Sequence, residues 1–241
     1  MTEPDFVHLR LHSEYSIVDS TLRIKDAVKL AANDGQVALA ITDLGNLFGF
    51  VKFYKAARGK GIKPICGVDA WVAPEEPGGE PCRVLLLAQS HAGYLRLCDW
   101  LTRAWRDHQH RGRALMQREW FDAAGTEGVF CLSGGWFGEI GVALRNGQEA
   151  HASRALAFWR AAFPERFALE LHICGFDFEQ AVNAATVALA RATGIPVVAT
   201  HPIQFASEED FKAHEARVCI AEGETLDDAR RPRRFNERQR F

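Results

Sequence analysis

The feature that most constrains the fold is a succession of short apolar runs that alternate with segments of helical periodicity. Seven runs have the length and bounding residues of strands, and they span residues 6–12, 37–43, 62–72, 83–88, 128–135, 166–172 and 195–201. Helical periodicity separates them, most clearly over residues 24–34, 94–105, 149–163 and 178–193. Strands alternating with helices predict an α/β protein with a largely parallel sheet, either closed as a barrel or open and doubly wound.

Polar residues stand at the carboxyl ends of these runs or in the turns just beyond them. They are His12, Asp43, Asp69, Ser133, His172 and His201. In a β/α barrel the carboxyl ends of the strands meet on one face, where functional sites are built. An open sheet would spread the same ends along a line, so the pattern favours a barrel.

The first run alternates apolar residues with His8, Arg10 and His12, which is the period of a strand with one packed face. Side chains two positions apart point to the same side, so these residues could open a metal cluster or a catalytic pocket. Arg10 does not fit a metal cluster, because a guanidinium stays protonated and has no lone pair to offer.

Composition excludes several classes of protein. The 241 residues are 47% hydrophobic and 25% charged with a net charge of -2, which gives no overall attraction to nucleic acid or membrane. No apolar run is long enough to cross a membrane, and the acidic start over residues 1–5 is not a signal peptide. We therefore expect a cytoplasmic protein. The six cysteines have no C-x-x-C pair, and we interpret them as reduced and buried.

The common phosphate-binding and hydrolase motifs are absent from the sequence. Ser133-Gly134-Gly135 follows the fifth predicted strand. Its backbone amides could cradle a phosphate, or the glycines could simply allow a tight exit from the strand.

Several linked blocks resemble the PHP (polymerase and histidinol phosphatase) domain family. They are His8 to Ser16, Ala40 to Asp43 with Gly45-Asn46-Leu47, Lys63 to Asp69, Leu87 to Tyr94, Leu132 to Gly134 and Pro196 to Thr200. More closely, nearly the whole chain resembles the PHP domain at the N-terminus of bacterial DNA polymerase III alpha subunits. The resemblance implies a distorted seven-stranded β/α barrel, and in active members a cluster of zinc, manganese or iron that hydrolyses phosphoester bonds.

Nine positions correspond to ligands of that cluster: Arg10, His12, Asp19, Leu44, Asp69, Arg83, Gly135, Pro202 and Gln204. By this resemblance only His12, Asp19 and Asp69 keep a side chain able to bind a metal. We therefore expect no catalytic residues and no cofactor. A weakly bound zinc or manganese ion on those three residues is the alternative.

Arg10 and Arg83 prompt a more specific hypothesis. Where the family places metal cations among carboxylates, this chain would place guanidinium groups against Asp19 and Asp69. Because their partners in the metal motif are missing, we interpret His8, His172 and His201 as hydrogen-bonded barrel residues.

The end of the chain is basic, with six arginines among residues 230–241. It could contact DNA or neighbouring polymerase segments, or it could be a solvated connector. We predict a PHP barrel over residues 1–222 and a basic connector over 223–241 that leads to a polymerase palm.

Two functions follow from the resemblance. The first is a non-catalytic structural module of the polymerase that docks the epsilon proofreading exonuclease, meets DNA only through the full polymerase and has no membrane partner. The second is a residual metal-dependent phosphoesterase or 3′-5′ exonuclease using His12, Asp19 and Asp69, with His172 or His201 as substitutes. Whether the chain is an enzyme by itself is left open, although no acidic triad for nucleotidyl transfer is present.

Overall fold

A computed structural model describes residues 6–76, 78–228 and 230–241. The acidic segment over residues 1–5, which is predicted not to be a signal peptide, lies outside these ranges. The chain forms two compact units: unit 1 comprises residues 1–66 and 201–241, and unit 2 comprises residues 67–200. Strand β2 (Lys63–Val72) continues from one unit into the other. The predicted boundary at residue 222 stays a prediction.

Unit 1 is built from strand β1 (Ala38–Ile41), the first half of β2, and three helices. The helices are α1 (Ile24–Asn33), α2 (Phe50–Gly59) and α7 (Phe211–Glu222). Strand β1 runs parallel to β2, with Ala38 opposite Lys63 and Ile41 opposite Cys66. The apolar stripe of α1 packs against β1 and α2 around the fully buried side chains of Leu39 and Phe53.

Unit 2 is a mixed sheet with helices. Its strands are β3 (Cys82–Ala88), β4 (Gln109–His110), β5 (Arg113–Met116), β6 (Val129–Leu132), β7 (Phe167–His172) and β8 (Val197–Thr200), together with the second half of β2. Its helices are α3 (His91–Asp107), α4 (Glu139–Arg145), α5 (Glu149–Ala162) and α6 (Glu179–Thr193). The strands follow the order β4-β5-β2-β3-β6-β7-β8.

The α/β class is confirmed, but the expectation of a largely parallel sheet is wrong for β3. Strand β3 is antiparallel to both β2 and β6, whereas β6, β7 and β8 are parallel to one another. The described residues between β2 and β3 form no helix. A short connection of this kind returns the chain antiparallel, because a parallel partner needs a longer crossover.

The described residues hold eight strands, and six of them match predicted runs. The first predicted run differs, because only Leu11 forms a bridge, with Ile203. The Leu11 amide donates to the Thr42 side chain at 2.9 Å instead of to a ladder carbonyl. Pro202, beside the bridge, has no N–H with which to extend it. The β4–β5 hairpin was missed, since β4 is only two polar, exposed residues long and the mostly buried β5 has only four residues.

No helix among the described residues is long and apolar enough to cross a membrane.

Candidate functional site

The nine positions that correspond to family ligands divide between the two units. Unit 1 contains Arg10, His12, Asp19, Leu44, Pro202 and Gln204, and unit 2 contains Asp69, Arg83 and Gly135. All of them are buried except Leu44, which is half-buried. Charged side chains are buried only at a cost unless they have partners, so their contacts decide what each group can do.

In unit 1, His12 and Asp19 form a buried pair. The His12 Nδ1 atom lies 2.9 Å from Asp19 Oδ1. The His12 amide donates to the Ile203 carbonyl at 3.0 Å, which fixes the backbone on the side of the Leu11–Ile203 bridge. The Ser20 hydroxyl lies 2.7 Å from the carbonyl oxygens of both His12 and Gln204. The pair is therefore held in place by the backbone of both segments.

His214, in helix α7, supports this pair and was missed in the sequence. Its Nε2 atom lies 2.8 Å from the backbone oxygen of Asp19, and its side chain is fully buried. Burial lowers the pKa of His214, although its contact with Asp19 opposes that shift. The ring is therefore a neutral donor to the segment that presents Asp19.

Asp43 follows β1 and is held by serine side chains. Its carboxylate accepts from the Ser13 amide at 2.6 Å, the Ser13 hydroxyl at 2.9 Å and the Ser16 hydroxyl at 3.1 Å. Burial raises the pKa of Asp43, and the hydrogen bonds from Ser13 and Ser16 oppose that rise. The Ser16 hydroxyl also accepts from the Leu44 amide at 2.7 Å. This carboxylate therefore organises the loop after the first predicted strand.

In unit 2, Arg83 occupies both oxygens of Asp69. The antiparallel register places Trp71 opposite Arg83 and Asp69 opposite Leu85, so Asp69 and Arg83 are diagonal neighbours on one face of the sheet. Arg83 Nε donates to Asp69 Oδ1 at 3.1 Å, and Nη2 donates to Oδ2. The guanidinium lies 4.5 Å from the centre of the Phe137 ring. Arg83 therefore stands where a cation would be needed to neutralise Asp69.

Gly135 has no room for a side chain. A Cβ atom at this position would lie 2.3 Å from Cε1 of His172, and the backbone φ of Gly135 is +55°. The His172 ring is fully buried and packs edge to face against Trp136, with the ring centres 4.3 Å apart. Its Nε2 atom lies 3.2 Å from Glu170 Oε1. The imidazole therefore fills the space that a cysteine at position 135 would need.

The side chains at these positions are a poor fit to a multinuclear metal centre. Leu44 and Gly135 bring no ligand atom, and Arg83 holds Asp69. Within unit 1, His12 and Asp19 offer two ligand atoms, whereas a protein metal site is usually completed by three or four. The chemistry of the donor set therefore disagrees with the metal cluster that the family resemblance implies.

The two other histidines that were singled out both lie in unit 1. His8 packs against the Phe241 ring at 4.8 Å, and burial, assisted by the charge of His201, lowers the pKa of His8 to about 4. His201 Nε2 lies 2.9 Å from the carbonyl oxygen of Arg240. Both rings thus pack against the end of the chain.

The basic end of the chain is folded onto unit 1. Four of its six arginines pair with carboxylates: Arg230 with Asp228, Arg231 with Glu215, Arg234 with Glu222 and Arg240 with Glu208. Backbone bonds join Gln204 to Gln239 and Phe205 to Phe241. Much of the positive charge that could have attracted DNA is therefore matched within the chain.

Comparison with known proteins now identifies the family. The family model described as the PHP domain matches residues 8–173. The chain belongs to the PHP domain family.

Curated relatives add a more specific similarity. The chain is 46% identical to DNA polymerase III subunit alpha of Pseudomonas aeruginosa, over 97% of the chain and 20% of that protein. It is 46% identical to the subunit of Neisseria meningitidis serogroup A, over 100% of the chain and 21% of that protein. For Escherichia coli the identity is 42%, over 99% and 20% respectively. The chain thus spans about one fifth of the length of these relatives.

Solved structures confirm the PHP fold. An amidohydrolase from Chromobacterium violaceum superposes with a TM-score of 0.56 at 15% identity, covering 88% of this chain and 96% of that one. A protein described as a metal-dependent phosphoesterase, from Bifidobacterium adolescentis, gives 0.51 at 11% identity over 81% and 86%. At these identities the likeness concerns the fold alone.

Proposed function

We propose that this PHP domain is a non-catalytic structural module of a replicative DNA polymerase alpha subunit. One observation carries the proposal: the buried carboxylate of Asp69 is engaged on both oxygens by the guanidinium of Arg83. A metal ion cannot bind Asp69 without displacing this arginine. A metal ion that displaced Arg83 would lie beside the guanidinium cation. The single negative charge of Asp69, which Arg83 already balances, could not neutralise both cations.

The contacts of Arg83 compensate the buried charge of Asp69 without a metal ion. Two buried charges are tolerated when their geometry is good and their remaining hydrogen-bonding groups are satisfied. Arg83 meets Asp69 through two hydrogen bonds and lies over the Phe137 ring, which adds a cation–π attraction. The chain therefore stabilises the former metal position with its own side chain.

We further propose that the module docks the epsilon proofreading exonuclease. A domain without a metal centre cannot supply proofreading, so a separate exonuclease must be held near the polymerase. In this proposal the palm of the same subunit follows the basic segment after residue 222, and DNA is met through the full polymerase. The sequence similarity to polymerase alpha subunits supports this context.

Docking is tested by size-exclusion chromatography of the chain with purified epsilon subunit, each at micromolar concentration. We expect co-elution as one complex, with one copy of each protein. A metal-loaded PHP phosphoesterase of unrelated function serves as the control for non-specific association. Separate elution of the chain and epsilon would overturn the docking proposal, without affecting the proposal that the site is non-catalytic.

The non-catalytic role is tested by partial restoration of the ligands. Replacing Arg10, Leu44, Arg83 and Gln204 together by histidine should raise the bound metal above that of wild type. Gly135 is left unchanged, because His172 occupies the space beside it. Equal metal content in the wild-type and restored proteins, both folded by circular dichroism, would contradict the proposal that these substitutions removed the site.

A further inference from the structure

A second group of side chains able to ligate a metal lies in unit 2 and includes none of the nine family positions. Glu75, Glu139 and His151 each offer one ligand atom, and these atoms lie within 4.8 Å of one another. They come from three segments: the connection after β2, the first residue of α4 and the first turn of α5. Three separate backbone segments thus converge on one point.

We propose that Glu75, Glu139 and His151 form a binding site for one divalent transition-metal ion, with Zn²⁺ as the best match. One imidazole nitrogen and two carboxylate oxygens are typical zinc donors, and three protein ligands leave a fourth position for water. The same donors take other first-row ions with affinities that follow the usual order of those metals. No residue of this group takes part in the function proposed above.

The orientation of Glu139 is the strongest support. Its Oε2 atom accepts from Arg118 Nη1 at 2.7 Å and from Trp159 Nε1 at 3.2 Å. This leaves Oε1 directed at His151, whose Nε2 atom lies 3.0 Å away. Bonds of about 2.0–2.1 Å in a tetrahedral shell would place two such ligands about 3.3 Å apart. Small movements would therefore admit an ion, and Arg118 and Trp159 would orient the ligand from outside it.

Glu75 brings a second negative charge, and the hydrogen bonds around Glu139 do not compensate it. Among the described residues Glu75 has no hydrogen bond or ion pair, yet one of its carboxylate oxygens lies within 4.8 Å of a Glu139 oxygen. Like charges about 4 Å apart repel by roughly 1–4 kcal/mol, depending on the local dielectric. A divalent cation between them would turn this repulsion into attraction.

Access and local charge are also suitable. Glu75 and Arg118 line an open groove of about 620 Å³, together with Glu76 and Glu119. Three carboxylates and a single guanidinium thus line the groove through which an ion would approach. Once bound, the ion would tie the connection after β2 to helices α4 and α5.

The test is calorimetric titration of the metal-stripped chain with ZnCl₂, alongside thermal unfolding with and without the ion. We expect saturable binding that raises the unfolding temperature, since a ligand specific to the folded state stabilises it. His151→Ala and Glu75→Gln should each weaken this binding about tenfold or more, comparable to losses at known metal sites. Glu76→Gln, in the same groove but outside the group, should bind as wild type does.

Both test positions are at least partly exposed, so circular dichroism should show each variant folded. Zinc affinity that is the same in wild type, His151→Ala and Glu75→Gln would overturn the proposal, because the ion would then reside on cysteines or other histidines. Absence of binding by wild type at 100 micromolar zinc would overturn it as well. Neither outcome bears on epsilon docking or on the role of Arg83.

Discussion

The Arg83–Asp69 ion pair allows the sharpest prediction. Asp69 is fully buried, and the Arg83 side chain is 6% exposed. Replacing Arg83 by Met removes the cation but keeps a long apolar chain against Phe137. Breaking a buried pair leaves an uncompensated charge and typically costs about 3–5 kcal/mol. A domain has a total stability of about 5–15 kcal/mol, so we expect Arg83→Met to lose a large fraction of it.

The double variant Arg83→Met with Asp69→Leu distinguishes the contribution of the ion pair to stability from that of side-chain packing. Removing both charges and keeping apolar volume is often neutral or stabilising, so the double variant should recover most of the loss. Arg113→Met is the matched control, because both guanidinium groups lie over the Trp71 ring, that of Arg83 at 5.5 Å and that of Arg113 at 4.3 Å from the ring centre. It loses a cation–π contact without unpairing Asp69, and we expect a cost of about 1 kcal/mol or less.

Urea unfolding followed by tryptophan fluorescence and circular dichroism gives the free energies of unfolding for five proteins: wild type, Arg83→Met, Asp69→Leu, the double variant and Arg113→Met. The coupling between positions 69 and 83 is the difference between the double variant and the sum of the singles. A loss below about 1 kcal/mol for Arg83→Met, or strict additivity of the two changes, would refute the reasoning.

Three further predictions concern Gly135 in unit 2 and His8 and Ser13 in unit 1. Gly135→Cys should lower the unfolding temperature and be partly rescued by His172→Ala, because the new Cβ would collide with the His172 ring; equal melting of Gly135→Cys and wild type would contradict this. Burial lowers the pKa of His8 to about 4, so as the pH falls the imidazole is protonated in the unfolded chain before it is protonated in the folded chain. Stability should therefore fall as the pH drops from about 6.5 to 4. The unfolding temperature of His8→Gln should depend less on pH over that window, and a pH profile identical to that of wild type would count against this prediction. Ser13→Ala removes a hydroxyl donor to Asp43 and should cost about 1.5–3 kcal/mol in urea unfolding, whereas no measurable loss would mean that the bond is dispensable.

Much of the fold could be predicted because its signals are local. The apolar runs of β1, β3 and β7 and the helical stripe of α1 each lie within a few residues of sequence. A capping box at Ser207–Asp210 is a further local signal: a serine followed three positions later by an acidic residue predicts reciprocal hydrogen bonds, and both form. Predictions of this kind depend on periodicity and turn chemistry alone.

The remaining features depend on contacts between distant residues. His214 meets Asp19 across 195 positions, and no spacing in the sequence indicates that pairing. The collision between position 135 and the His172 ring depends on how Trp136 packs. The first predicted strand has the right alternation but lacks a full ladder, because Thr42 supplies a side-chain acceptor to Leu11. Propensity does not determine such long-range details.

The pairing of Arg83 with Asp69 could be predicted only in part, because the residue types are visible in the sequence and their contact is not. The family resemblance predicts an arginine and a carboxylate at positions that correspond to metal ligands, but their contact depends on the register of β2 and β3. That register brings them to one face as diagonal neighbours. The chemistry of the two residues was thus predictable, and the two hydrogen bonds became visible only in the structure.

The proposed non-catalytic role requires that this PHP domain has no phosphodiesterase activity of its own. The most direct measurement is nucleotide release from the 3′ end of a labelled single-stranded oligonucleotide, with excess MnCl₂ or ZnCl₂, by wild type and His12→Ala side by side. We predict that the two proteins release nucleotide at the same background rate. Metal-dependent release by wild type that His12→Ala abolishes would contradict the account and establish a residual nuclease.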